Sequence, residues 1–110
     1  MSAPLIALRR LWLLSLLYLA ANSAWCQQAL WIDVRSPAEY QQGHRPDAVN
    51  IPHDDIAAGI AALQPALDTA IMLYCKSGRR AELAAQTLTA LGYTRVVNVG
   101  GLEQALQAGP

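Results

Sequence analysis

The sequence predicts an α/β domain: a small open parallel β-sheet with helices on both faces. Three observations carry that prediction. Short apolar runs rich in strand formers recur along the chain, at residues 30–32, 48–52, 71–74 and 96–99. Segments with helix signals alternate with them. The spacing is short throughout, with no repeat, linker or low-complexity tail.

The first 24 residues read as a segment apart from the fold. Arg9-Arg10 is a short basic region, LWLLSLLYLA (11–20) an apolar stretch, and Ala21-Asn22-Ser23-Ala24 a run of small residues. That is the layout of a cleaved signal peptide, with cleavage expected after Ala24 and export to the periplasm. The apolar stretch falls short of the roughly 20 residues a membrane span needs. Trp25 ahead of Cys26 does not suit lipidation. A single domain over residues 29–110 then remains, small but within the range that folds around one core. Without Arg9 and Arg10, six basic residues face eight acidic ones. A slightly acidic chain with no basic, aromatic-bearing stripe excludes nucleic acid as a partner. A soluble monomer or weak dimer is expected.

Leu30-Trp31-Ile32 opens the first strand and leads into Asp33-Val34-Arg35. Ser36, Pro37 and Glu39 supply a cap, a first-turn proline and a capping-box acid for a short helix that ends at Gly43. Residues 48–52 form a brief buried strand closed by Pro52. Asp54 or Asp55 caps a second helix with Ile56, Ile60 and Leu63 at helical spacing. Residues 71–74 make the central strand. The strongest helix covers 81–91, with Leu83, Leu88 and Leu91 toward one side and Gly92 as its stop. Val96-Val97-Asn98-Val99 is the last strand, Gly100-Gly101 a break, and 102–108 a final helical turn or two.

The most informative stretch is CKSGRR, 75–80, between the central strand and the strongest helix. In an open parallel sheet, ligands collect beyond the carboxyl ends of the strands, and Cys75 stands at one. Lys76, Ser77, Gly78, Arg79 and Arg80 can curl around its sulfur, with Gly78 supplying a positive backbone angle. Backbone N–H groups in such a curl, beside a helix N-terminus, form an anion nest and favour thiolate over thiol. The bland alternatives are a buried core cysteine with three solvated cations, or a Cys26–Cys75 disulfide. Cys26 at a frayed terminus and Cys75 at a strand-to-turn junction make a poor staple. No resolving cysteine lies two or three residues from Cys75, which argues against a dithiol oxidoreductase. His44 and His53 lack partners at ligand spacing, so no metal and no cofactor are expected. His44 reads as a packed turn residue and His53 as lying near the mouth of the site.

The loop, Cys75 followed by four residues and Arg80, resembles the active-site loop of the rhodanese (thiosulfate sulfurtransferase) family. Other stretches resemble that family in the same order: Asp33-Val34-Arg35, Glu39-Tyr40, Gly43-His44, residues 48–52, Leu91-Gly92-Tyr93 and Asn98 to Leu102. The likeness covers about residues 29–109 and is nearest the secreted, single-domain type. It implies a ping-pong reaction. Cys75 takes the outer sulfur of thiosulfate, or of another small anionic donor, and passes it to cyanide or a thiol. It implies that Arg80 braces loop and substrate while Lys76 and Arg79 draw in anions. Asp33, Arg35 and His44 are supporting residues, Asp33 ordering neighbouring backbone or Arg45 rather than moving protons. Departures lie at Arg45, an expected surface residue where the family has an apolar one, at Asp47 in place of a turn glycine, and at Leu106. Two rivals remain: a non-catalytic rhodanese-like binding or persulfide-carrier module, and a phosphatase or arsenate reductase. The latter have a loop one residue longer, sized for a tetrahedral oxyanion.

Overall fold

A computed structural model describes residues 28–110. Residues 1–24, the expected signal peptide, and Cys26 lie outside the described residues. Four parallel strands, β1 (Leu30–Asp33), β2 (Val49–Asn50), β3 (Ile71–Cys75) and β4 (Val96–Gly101), form one sheet in the order β2-β1-β3-β4. Helices α1 (Pro37–Gln41), α2 (Ile56–Leu63), α3 (Arg79–Ala90) and α4 (Leu102–Gln107) connect or follow them. The chain leaves β1 toward one edge and β3 toward the other. A crevice therefore opens between the carboxyl ends of those two strands, where such sheets bind ligands.

The two-residue period of a strand divides the core. Ile32 of β1 and Ile71, Leu73 and Cys75 of β3 face the side covered by Ile56, Ile60, Ala81, Ala84 and Leu88 of α2 and α3. Trp31 and Tyr74 face the opposite side with Ala48 and with Ala105 of α4. The sulfur of Cys75 thus lies on the α3 side of the sheet. A bulge in β4 shifts its register against β3, so that Tyr74 pairs with Gly100 and Cys75 with Gly101.

Helix α1 starts as its sequence dictates. Ser36 Oγ accepts from the Glu39 N–H, and the Glu39 carboxylate accepts from the Ser36 N–H, both at 3.2 Å. Helix α2 begins differently. A 3₁₀ turn, His53–Asp55, leads into it, and neither aspartate's side chain caps it. Helix α3 starts two residues before the predicted point, at Arg79, because Gly78 O already accepts from the Glu82 N–H at 3.0 Å. Its buried face is Ala81, Ala84 and Leu88, while Leu83 and Leu91 are about half exposed, at 48% and 49%. Small side chains let this helix sit close to the sheet, so the leucines beside them are left at the rim.

Arg45 is not on the surface. It is 6% exposed and stacks over the Trp31 ring, its guanidinium carbon 3.6 Å from the ring centroid. Its Nη1 donates to Ala105 O at 2.7 Å and Ala108 O at 2.8 Å, and its Nη2 to Gly109 O at 2.8 Å. These include carbonyls that the end of α4 leaves without helical partners. Asp47 completes the arrangement by pairing with Arg45 Nε at 2.6 Å. Nor does Asp47 occupy a left-handed turn conformation, since Gln64 alone among the described non-glycine residues has positive φ. Its carboxylate serves as a counter-ion. Arg45→Ala is expected to lower stability by about 2–4 kcal/mol, through unpaired carbonyls and lost cation–π packing. Urea unfolding measures it, and a loss below about 0.5 kcal/mol, the ordinary surface range, would contradict the anchoring role.

Candidate active site

Cys75 ends β3, 1% exposed, with a free thiol. The chain turns at Gly78, whose φ of +97° is the left-handed conformation glycine adopts without strain. The turn brings the Gly78 N–H to 2.9 Å from Cys75 Sγ. Burial pushes the thiol pKa up, but N–H groups of Ala81, Ser77, Gly78 and Arg80 outweigh it and hold the thiol below its ordinary value. Backbone donors beside a buried sulfur favour the thiolate over the thiol.

The loop is braced from β4. Asn98 Nδ2 donates to Gly78 O at 2.9 Å, while its Oδ1 accepts from the Gly100 N–H at 3.0 Å. Gly101 lies so close to the loop that a Cβ there would overlap the Lys76 carbonyl oxygen. Its φ of −98° suits any residue, so the position requires space rather than conformational freedom. Gly101→Ala is therefore expected to displace the Lys76 backbone and misdirect the loop's N–H groups. A stability loss of about 1–3 kcal/mol should accompany a slower alkylation of Cys75 at neutral pH. Thermal melting with timed iodoacetamide labelling tests this; wild-type values for both would contradict the close-packing argument.

Arg80 does not stand free. Its Nη1 donates to Glu39 Oε1 at 2.7 Å and its Nη2 to Glu39 Oε2 at 3.0 Å, a bidentate pair between α1 and the first turn of α3. That pair, with the Ser36 bonds, holds the Glu39 carboxyl down to about 2. The pairing therefore persists across the neutral range and is lost only as pH falls toward 2. Lys76, Ser77 and Arg79 are exposed around the loop.

Asp33 is fully buried and bound to Arg35, not to Arg45. Arg35 Nη2 donates to Asp33 Oδ2 at 2.7 Å and the Arg35 N–H to Oδ1 at 2.9 Å. Arg35 Nη2 also donates to Gly43 O at 2.7 Å, tying the end of β1 to the turn after α1. The Asp33 hydrogen bond raises the Arg35 pKa, against the effect of burial. His44 stacks on Tyr40 with ring centroids 3.6 Å apart, and its Nδ1 lies 2.8 Å from Tyr40 O. It is a packed turn residue. A cleft of about 400 Å³ at the crevice is lined by Arg35, Glu39, Gly43, Lys76, Leu102 and Glu103. His53 is not among its lining residues.

Three residues make bonds that the sequence does not report. Glu39 reads from the sequence as a helix cap and as part of the Glu39-Tyr40 likeness, and its bond to Arg80 spans 41 positions that no local pattern reports. Asn98 was one residue of a longer likeness, with no sign of its bond to Gly78. Tyr74 was only a strand residue. Its hydroxyl accepts from the Arg45 N–H at 3.0 Å, and burial lifts its pKa to about 12.

A family pattern described as a rhodanese-like domain matches residues 15–108. The chain is 42% identical over 73 residues to a thiosulfate sulfurtransferase, PspE, of Escherichia coli (strain K12), covering 66% of this chain and 70% of that one. It is 36% identical over 75 residues to a sulfurtransferase of Allochromatium vinosum, covering 68% of each. Among solved structures it is similar to a rhodanese with anions from E. coli, at a TM-score of 0.67 and 40% identity, over 70% of this chain and 91% of the other. A human single-domain sulfurtransferase, TSTD1, matches at a TM-score of 0.59 and 29% identity, over 87% of this chain and 93% of its own.

Proposed function

The chain belongs to the rhodanese-like sulfurtransferase family, and from that premise we propose that it moves sulfur through a persulfide on Cys75. The Cys75 thiolate attacks the outer sulfur of thiosulfate. The sulfur–sulfur bond of the donor breaks, and sulfite leaves with the electron pair. The sulfur now carried on Cys75 is attacked by a thiophilic acceptor, cyanide or a thiolate, and Cys75 departs as thiolate. No proton need move in either half, and no cofactor is involved. The observation that carries the reading is the Gly78 N–H at 2.9 Å from Cys75 Sγ, in a loop whose neighbouring N–H groups also lower the thiol pKa. The same donors that favour a thiolate favour the terminal anion of a persulfide. Lys76 and Arg79, exposed in the loop, supply attraction for an anionic donor. Thiosulfate as donor is further supported by the E. coli relative, which is a thiosulfate sulfurtransferase.

We also propose that residues 1–24 are removed on export and that the domain of residues 29–110 works in the periplasm as a monomer or weak dimer. The basic-apolar-small layout of the leader supports this. One measurement reads both proposals: the intact mass of protein recovered from the periplasm, before and after thiosulfate. The expected result is a chain starting near Trp25 that gains one sulfur atom and loses it on cyanide addition. Absence of the protein from the periplasm would contradict export, a recovered chain that retains Met1 would contradict removal of residues 1–24, and one that gains no sulfur would contradict transfer.

A further inference from the structure

We infer that Glu39 is a positioning residue for sulfur transfer, its carboxylate fixing the Arg80 guanidinium at the end of the Cys75 loop. The inference rests on the persulfide reading of Cys75 and adds a residue to it. Three segments distant in sequence meet here: α1 with Glu39, the end of β3 with Cys75, and the first turn of α3 with Arg80. Both oxygens of Glu39 are engaged by both terminal nitrogens of Arg80, so the guanidinium plane has one orientation rather than many. Glu39 is itself fixed from behind, where the Ser36 N–H and Oγ donate to Oε1 at 3.2 and 3.0 Å. Arg80 responds to Glu39 first and to the Cys75 sulfur as well, both raising its pKa. The clamp thus ties α1 to the residue that closes the loop after Cys75.

The other charges about the loop are arranged differently. Lys76 and Arg79 are exposed, Asp33 and Arg35 close on each other, and Glu82 accepts from Asn98 at 3.3 Å. Among the loop's own cations, Lys76, Arg79 and Arg80, Arg80 is the one that is both partly buried and clamped, so its charge is delivered at a set place rather than averaged over rotamers. A helix cap would need only one oxygen of Glu39. The second oxygen is spent entirely on Arg80.

The test is a double-mutant cycle on the whole domain, reading the pH dependence of Cys75 alkylation and the steady-state thiosulfate:cyanide reaction. Glu39→Gln is expected to move the Cys75 titration up toward the free-thiol value of about 8.5. It should lower kcat about tenfold, the scale of one charge-assisted hydrogen bond. In the Arg80→Ala background the same change should have no further effect on either quantity. Arg80→Lys, which leaves the cap intact, should shift the titration in the same direction and serves if Glu39→Gln fails to fold. A wild-type titration in Glu39→Gln, or in Arg80→Lys, would overturn the inference. So would a Glu39→Gln effect that persists in full without Arg80. The titration is independent of sulfur transfer. A wild type that gains no sulfur but still shows the coupled titration would therefore sink the transfer reading and keep the clamp. Full transfer with no coupling would do the reverse.

Discussion

Cys75→Ser is expected to abolish thiosulfate:cyanide transfer, by at least about 10³-fold, and to leave the domain folded. A hydroxyl at that position is nearly the same size, and the Gly78 N–H that now faces Sγ would find an oxygen instead. What it lacks is acidity: at neutral pH a serine oxygen is neither a nucleophile toward sulfur nor a leaving group from it. Stability should change by less than about 1 kcal/mol. The wild-type protein should be alkylated with an inflection below the free-thiol value of about 8.5, because the loop N–H groups depress the thiol pKa. The sign for stability follows from the same shift. Thiolate formation contributes fully above the unfolded value and is lost as pH falls through the lower folded one. Residual transfer near the wild-type rate in Cys75→Ser would end the assignment of the nucleophile.

The largest effect on stability is expected at Asp33. Asp33→Ala would leave Arg35, 6% exposed, with an uncompensated charge beside Tyr74, whose ring centroid is 5.8 Å from the guanidinium carbon. Breaking one half of a buried pair costs about 3–5 kcal/mol. That is a large share of the 5–15 kcal/mol typical of a folded domain. The Arg35 bond to Gly43 O would weaken with it, loosening the turn that borders the cleft. Activity should therefore fall together with stability rather than ahead of it. A urea midpoint that moves by less than the equivalent of about 1 kcal/mol would show the pair to be dispensable.

Much of this protein was legible in its sequence because the information was local. Ser36, Pro37 and Glu39 start α1, Gly78 turns the chain, and Gly92 follows the end of α3 with φ of +103°. Each is a requirement of backbone geometry that acts within four or five residues. The parallel sheet and its alternation with helices followed likewise, because connections this short leave a parallel sheet as the arrangement that buries the apolar runs. Cys75 at the end of a strand before a helix was visible for the same reason.

What the sequence could not report was which distant groups would meet. Arg45 reads as a surface residue by composition, since arginine is seldom buried without partners. Its partners are backbone carbonyls some sixty residues away, and a carbonyl has no letter in a sequence. Leu83 and Leu91 read as core by hydrophobicity, yet the close approach of α3 to the sheet selected alanines at 81 and 84 instead. Glu39 satisfies its local role as a cap so completely that nothing in the sequence asks for a second partner. By itself, then, the sequence determined the elements, the loop around Cys75 and the family, because torsional preferences and hydrophobic period act at short range. Only the tertiary structure decided that Glu39 pairs with Arg80, Asp33 with Arg35, and Arg45 with the end of α4. The first and last of those pairings depend on where the sheet carries distant segments; Asp33 and Arg35 are two residues apart, and burial at the end of β1 closes them on each other.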